Sequence, residues 1–315
     1  MRIVFLGSGA FAIPCLEGLL DAGHDVAALV TQPDRGKGRG KALAPPPLKP
    51  VAEARNVAIV QPRRVREPDA QEALRRLAPE LQVVVAFGQI LPRSVIHIAP
   101  LGTVNVHASL LPKLRGAAPI QWAVANGERE TGVSTMLIDE GLDTGPVLLQ
   151  RSTPIGPDET SADLEPRLAR LGADVLIETV RGLAEGTLTA SPQDHDRATL
   201  APLLKKEDGR LDWSLTADEL RCRIRGFDPW PGAFSSLDGR TFKILGAQPV
   251  AVAATEDGPE RAPGALLELV PEGLVVACGA GSRLLVTEVQ PESRRPMPAA
   301  AFAAGARLHA GRVFG

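Results

Sequence analysis

Residues 1–30 read MRIVFLGSGAFAIPCLEGLLDAGHDVAALV, and the fold turns on them. Ile3 to Leu6 is a short apolar run of strand-forming residues that ends at Gly7-Ser8-Gly9. Ile13 to Ala22 then repeats its apolar side chains at helical spacing, and Val26 to Val30 is a second apolar run. A strand, a tight turn, a helix and another strand make a βαβ opening. The pattern continues with a helix around Pro47 to Arg55, a strand near Val57 to Val60, a helix Asp69 to Leu77 and a fully apolar strand Val83 to Phe87. Strands apolar on both faces, alternating with helices, predict a parallel sheet covered on both sides and wound by right-handed crossovers.

Thr103 to His107 and Val133 to Ile138 add two strands, and Ser161 to Glu185 reads as one long helix. The first half is therefore expected to be a doubly wound, Rossmann-like α/β domain. The alternation stops at residues 186–204, GTLTASPQDHDRATLAPLL, whose turn formers suit a surface linker. Beyond it come a helical stretch, Thr216 to Ile224, and short apolar segments, Phe242 to Leu245, Leu274 to Ala277 and Leu284 to Thr287, separated by Gly, Pro and Asp. Short, spaced strands predict a small OB-like β-barrel. The boundaries are placed at 1–189 for the first domain, 190–206 for the linker and 207–315 for the second, two domains being the expectation for 315 residues.

With 44% hydrophobic and 23% charged residues the composition is that of a globular chain. A net charge of −2 gives no global pull on nucleic acid, so any polyanion must be met by local basic patches. Cys15, Cys222 and Cys278 are far apart and form no CxxC pair, which argues against a disulfide framework or a zinc site, so no metal is expected. The opening run leaves no room for a secretion signal, and no stretch approaches a membrane span, so a cytoplasmic protein without a membrane partner is expected.

The Gly7-Ser8-Gly9 turn is a poor dinucleotide fingerprint, because Ala12 stands where a glycine is needed and no acidic residue ends the second strand. Small residues for a tight turn explain it, although the helix N-terminus can bring Gly7 to a ligand crevice. More telling is Thr103-Val104-Asn105-Val106-His107-Ala108-Ser109. Strand alternation puts Thr103, Asn105 and His107 on one face and both valines on the other. In a buried parallel sheet such polar groups are expensive unless partnered, and strand carboxyl ends are where open α/β sheets bind ligands. His107 alone reads as a satisfied structural histidine. Val133 to Ile138, however, leads into Asp139-Glu140-Gly141-Leu142-Asp143-Thr144-Gly145, a glycine-flanked loop that can carry a carboxylate to the same edge. An amide, an imidazole and a carboxylate suit acyl transfer without a covalent nucleophile. Ser109 is the nearby hydroxyl, and no GxSxG elbow surrounds it. His24, His97, His195 and His309 stand in no polar constellation and read as structural or solvated.

Asn105-Val106-His107-Ala108-Ser109-Leu110-Leu111-Pro112, followed by Arg115-Gly116-Ala117-Ala118-Pro119-Ile120, resembles the tetrahydrofolate-dependent formyltransferases. The resemblance implies that Asn105, His107 and Asp143 are catalytic, that Ser109, Leu110, Leu111 and Pro112 contact folate, and that Phe87, Gly88, Gln89, Ile90 and Leu91 belong to the pterin pocket. It also implies N10-formyltetrahydrofolate as co-substrate. Family members formylate glycinamide ribonucleotide, a sugar-nucleotide amine, or methionine esterified to initiator tRNA.

Residues 31–41, TQPDRGKGRGK, hold Arg35, Lys37, Arg39 and Lys41 against Asp34 alone. A bare charge run is ordinarily a solvated loop, yet cations spaced by glycines also suit RNA phosphates. The run resembles the insertion loop of the tRNA-acting branch, in which the arginine matching Arg39 contacts tRNA. Gly36-Lys37-Gly38 departs from the more usual Pro-Ala-Gly there, as Gly7-Ser8-Gly9-Ala10-Phe11 departs from Gly-Thr-Pro-Asp-Phe. Lys205 and Lys206, with the segments 207–213 and 224–232, resemble that branch's C-terminal tRNA-binding domain. The expectation is thus a monomeric enzyme that moves a formyl group from N10-formyltetrahydrofolate to the α-amine of methionyl initiator tRNA. A sugar-nucleotide amine is the alternative acceptor.

Overall fold

The structure, a computed structural model, describes residues 1–37, 42–250 and 262–315. The chain divides into two compact units, residues 1–119, 130–154 and 165–202 in one and 120–129, 155–164 and 203–315 in the other. The elements in the first half are β1 (Arg2–Gly7), α1 (Ile13–Asp21), β2 (Asp25–Val30), β3 (Arg35–Lys37), β4 (Ala42–Ala44), α2 (Leu48–Ala54), β5 (Ile59–Val60), α3 (Pro68–Arg76), β6 (Leu81–Val85), α4 (Arg93–Ile96), β7 (Thr103–His107), α5 (Pro119–Ala125), β8 (Glu130–Leu137), β9 (Val147–Pro154) and α6 (Ser161–Glu185).

Seven strands form the first unit's sheet in the order β5-β2-β1-β6-β7-β8-β9. The apolar runs occupy its middle, where Ile3 to Leu6 and Leu81 to Val85 are buried. From β5 through β7 every pairing is parallel, as both-face burial predicts. The last two strands correct the fully parallel expectation: β8 runs antiparallel to β7, and β9 antiparallel to β8. Residues 138–146, which join β8 to β9, are too few for a helical crossover, so the chain can only fold back on itself. Antiparallel pairing starts the loop after β8 at the amino end of β7, where the Ile138 amide donates to the Thr103 carbonyl at 2.8 Å, and the loop then runs back to reach His107. β3 and β4 form a separate two-stranded hairpin.

The second unit contains α7 (Ala217–Gly226), β10 (Phe234–Leu237), β11 (Arg240–Val250), β12 (Leu266–Val270), β13 (Gly273–Ala277), β14 (Arg283–Pro291), β15 (Met297–Pro298) and α8 (Ala299–Ala306). Thr216 and Glu219 form a reciprocal capping box that starts α7. The strands are antiparallel in the order β10-β11-β14-β13-β12, with β15 on β14. Leu220, Ile224, Phe242, Leu274, Val286 and Phe314 share its core with Trp213, whose indole N–H donates to Ser235 Oγ at 3.0 Å. The expected antiparallel β domain is present. Among the described residues β10 and β12 do not pair, so the sheet is open rather than a closed barrel.

Candidate active site

β7 places Asn105 and His107 two residues apart on one face, and Thr103 shares it. Each meets a different fate. Thr103 is buried and satisfied, donating to the Ile96 carbonyl at 2.7 Å and accepting from Gln82 Nε2 at 2.8 Å. Asn105 is half-buried and its carboxamide has no hydrogen-bond partner among the described residues, which leaves it available to a ligand. His107 is buried with Nε2 2.9 Å from the Leu114 carbonyl oxygen. A carbonyl only accepts, so Nε2 carries a hydrogen and Nδ1 is the ring atom left to exchange a proton.

Nδ1 faces Asp143 Oδ2 at 3.7 Å. Asp143 is brought there by the loop after β8, where it adopts φ 51°, a left-handed conformation that Asp tolerates better than most residues. The loop is braced internally by Asp139 Oδ1, which accepts from the Gly141 amide at 3.0 Å and from Thr144 Oγ1 at 2.7 Å. Gly145 is obligatory, since a Cβ there would stand 1.8 Å from the Leu137 carbonyl oxygen. Asp143 Oδ2 also accepts the Gly116 amide at 2.8 Å, which ties its carboxylate to the turn after β7.

That turn is held by serines. Ser134 Oγ donates to the Ser109 carbonyl at 2.6 Å and accepts from the Leu111 amide at 3.0 Å. Ser109 is fully buried and its hydroxyl donates to the Lys113 carbonyl at 2.6 Å, so it braces the turn. Leu111 is buried as well, and Leu110 and Pro112 are the half-exposed members of the segment. In the loop after β6, Phe87 belongs to the core with Val4, Leu6 and Val30. Gln89 accepts the Val65 amide at 2.8 Å through Oε1, while its buried Nε2 has no partner among the described residues. Ile90 is 93% exposed, and a cavity of about 370 Å³ is lined by Arg64, Arg66, Gln89, Ile90 and Pro92. Gly88 is exposed and Leu91 half-exposed on the same loop.

Of the basic residues, Arg35 donates to Gln32 Oε1 at 3.0 Å and Lys37 ends β3. Arg39 and Lys41 lie outside the described residues. Lys205 and Lys206 are exposed in the second unit, where the Lys205 amide donates to Asp208 Oδ2 at 2.6 Å. Burial pushes the Cys15 thiol up to about 12, with the Asp174 carboxylate adding to it, and pushes Cys278 up to about 12. Among the described residues no group of three or more His, Cys, Asp or Glu is placed to hold a metal.

Sequence reasoning missed Gln193. It lies in the stretch read as linker, yet it is buried and donates through Nε2 to the carbonyls of Asp143 at 2.9 Å and Gly145 at 2.7 Å. His195, read as structural or solvated, accepts from Arg115 Nη2 at 3.2 Å. The faint signal was Pro192-Gln193, a lone amide beside a strand-like turn, which composition alone does not separate from solvated loop.

An unpartnered amide, an imidazole with one free nitrogen and a carboxylate thus converge at the end of a buried strand. The profile of the formyl transferase family matches residues 1–180, and that of the formyl transferase C-terminal domain matches residues 203–307. The chain is 52% identical over 308 residues to the methionyl-tRNA formyltransferase of Solibacter usitatus (strain Ellin6076), an alignment covering 98% of this chain and 96% of that one. It is 54% identical over 308 residues to that of Anaeromyxobacter dehalogenans (strain 2CP-1), covering 98% and 97%. Among solved structures, the sugar 3N-formyl transferase WlaRD, with dTDP and 5-N-formyl-THF, superposes with a TM-score of 0.66 at 18% identity over 94% of this chain and 99% of that one, a likeness of fold. HypX from Aquifex aeolicus in complex with tetrahydrofolic acid gives 0.61 at 19% identity over 96% of this chain and 47% of its own. The chain belongs to the formyl transferase family, and its relatives over nearly its full length place it among the methionyl-tRNA formyltransferases.

Proposed function

We propose that this chain transfers the formyl group of N10-formyltetrahydrofolate to the α-amine of methionine on initiator tRNA, for the start of translation. One observation carries the reading: Asn105, with its free amide, and His107, with Nδ1 3.7 Å from Asp143, share the end of a strand in a chain about half identical to methionyl-tRNA formyltransferases. An α-amine titrates near pH 8, so about a tenth is neutral at pH 7 and positioning matters more than strong base catalysis. The neutral amine attacks the formyl carbon, a C–N bond forms, and the carbonyl oxygen becomes an oxyanion. Collapse breaks the bond to N10, which leaves with a proton taken from the attacking nitrogen.

Asn105 donates to that oxyanion. His107 has given its Nε2 hydrogen to Leu114, so it donates through Nδ1, and only as an imidazolium. Asp143 supplies the countercharge. The folate ring fits the loop after β6: the unpartnered Gln89 Nε2 is a donor awaiting an acceptor, and exposed Ile90 is an apolar wall for a flat heterocycle. Phe87, Gly88 and Leu91 shape that loop, and Ser109 to Pro112 form the opposite turn. Residues 31–41, through Arg35, Lys37, Arg39 and Lys41, and the exposed Lys205 and Lys206 meet the RNA phosphates. The second sheet supplies an OB-like surface for tRNA, and the domains run 1–189 and 207–315 about the linker 190–206. The enzyme acts as a monomer in the cytoplasm.

The test offers charged initiator tRNA and a sugar-nucleotide amine side by side with the formyl donor. Product on tRNA alone is expected. Arg39→Ala should raise KM for tRNA and flatten its salt dependence by about one counterion. Formylation of the sugar nucleotide instead, with KM for tRNA unmoved by Arg39→Ala, overturns the acceptor.

A further inference from the structure

Behind the site runs a strap, residues 191–201, that touches both the turn after β7 and the loop that carries Asp143. Thr199 Oγ1 accepts the Leu114 amide at 2.9 Å, fixing the residue whose carbonyl holds His107. The Arg115 backbone pairs with the strap, its amide donating to the Thr199 carbonyl at 2.8 Å and its carbonyl accepting from the Ala201 amide at 2.7 Å. Gly116 allows that approach, with φ 124° and room for no side chain: a Cβ would stand 2.5 Å from the Ala201 carbonyl oxygen.

Gln193 is the strap's contact with Asp143. Its Nε2 gives one hydrogen to the Asp143 carbonyl and the other to that of Gly145, while its Oε1 accepts from Arg115 Nε at 3.1 Å and Nη2 at 2.7 Å. The orientation is not arbitrary: a flipped amide would set nitrogen against guanidinium and oxygen against two carbonyls. Arg115 is buried, and the partners that fix it are neutral, Gln193 Oε1 and His195 Nδ1. A desolvated guanidinium held this way is costly, and its charge-assisted bonds orient the Gln193 amide strongly.

We propose that Gln193, aimed by Arg115, is a positioning residue for formyl transfer: it clamps the backbone directly after the Asp143 side chain, at the carbonyls of Asp143 and Gly145, and so sets where that carboxylate meets His107 Nδ1. It touches no reacting atom. The proposal rests on the formyl-transfer reading above. A carboxylate displaced by about 1 Å can lose on the order of 10² in rate. Gln193→Met keeps the volume and removes both donated bonds. Gln193→Glu keeps the acceptor for Arg115 and turns a second oxygen on the two carbonyls.

The experiment measures single-turnover and steady-state formylation of methionyl-tRNA by each variant, per folded chain, with a thermal melt alongside. Both variants should lower kcat by about 10-fold to 10²-fold with KM for folate and tRNA within about twofold. A purely structural glutamine would lower the melting temperature and leave kcat per folded chain intact, and that outcome overturns the proposal. Should either variant be recovered unfolded, Arg115→Lys takes its place, since it leaves the amide but breaks one of its fork bonds. A kcat unchanged in Arg115→Lys counts equally against the idea. Absence of product with the unaltered chain overturns the reaction itself, and is told apart because it precedes any substitution.

Discussion

Asp143→Asn separates charge from shape at this site. Asn is isosteric, and its side-chain oxygen can still accept the Gly116 amide that Asp143 Oδ2 accepts at 2.8 Å, so the loop should stay in place. That same oxygen is the atom facing His107 Nδ1, so in Asn the ring meets an uncharged amide oxygen and loses the countercharge that favours its imidazolium form. A neutral ring whose Nε2 hydrogen is committed to Leu114 has no donor left for an oxyanion. The loss follows from the separation. His107 is 6% exposed and Asp143 15%, with 3.7 Å between Nδ1 and Oδ2. At an effective dielectric of about 20, opposite charges at that distance attract by about 4.5 kcal/mol, which is on the order of 10³ in rate if the attraction is present only in the transition state. The assay is rapid-quench single turnover with charged initiator tRNA, where chemistry is not masked by product release, together with KM for both substrates. The expected result is a fall of about 10³ in the chemical step with KM nearly unchanged. A single-turnover rate within about tenfold of the unaltered chain would refute the countercharge role, and with it the claim that His107 acts as an imidazolium.

Asn105→Ala removes the free amide and should lower kcat by about 10²–10³ with little effect on stability, checked by the same assay and a thermal melt; full kcat would remove Asn105 from the oxyanion site. Ser109→Ala should keep kcat within about threefold and lose about 0.5–1.5 kcal/mol in denaturant unfolding, because the hydroxyl donates to the part-buried Lys113 carbonyl; complete loss of turnover in folded protein would revive a serine nucleophile. Burial first, and the Asp163 carboxylate second, push the Asp228 carboxyl above its ordinary range against the pull of Lys243. The folded chain then holds that proton more tightly than the unfolded one, so stability is lost as pH rises through the carboxylate range. Asp228→Asn should raise the melting temperature at pH 7 and lose that advantage below about pH 4; a lower melting temperature at pH 7 contradicts the sign. With the Cys15 and Cys278 thiols held near 12, a thiol reagent at pH 8 should label the half-buried Cys222 in native protein and reach the others only after unfolding, as peptide mapping would show.

What the sequence makes legible here follows from period. Thr103–His107 and Ser161–Glu185 have the same limits in sequence and structure because apolar spacing alone defines them. Alternation also put Asn105 and His107 on one face. Period says nothing of direction, so β8 passed as a parallel strand, and β9, VLLQRSTP, half polar and half-exposed, was not seen at all. The shortness of residues 138–146 fixes β9 antiparallel to β8, whereas residues 108–129, long enough to hold α5, leave the direction of β8 against β7 open. Ring orientation is equally invisible: that Nε2 of His107 is taken by Leu114 decides which nitrogen can work, and it depends on a turn seven residues on. Gln193 lies 78 positions from Arg115 and 50 from Asp143, in a stretch rich in turn formers, so no local pattern could link them.

The same distances explain how Asp143 is held. A non-glycine residue at φ 51° carries a backbone penalty of about 1–2 kcal/mol, and a loop with that strain would relax if nothing opposed it. The Gly116 amide on the carboxylate, a bond to a charged acceptor, contributes about 1.5–3 kcal/mol, and the two Gln193 bonds about 0.5–1.5 kcal/mol each. The restraints exceed the strain, so the left-handed conformation persists. Removing the carboxylate bond alone leaves the two glutamine bonds roughly matched to the strain, and removing the glutamine bonds leaves the carboxylate bond similarly matched. Neither set holds the loop with a margin by itself. The site therefore needs its strap as well as its catalytic side chains, and Asp143→Ala and Gln193→Met should be strongly non-additive in loop order, since either one alone leaves the strain roughly matched and the pair leaves it unopposed.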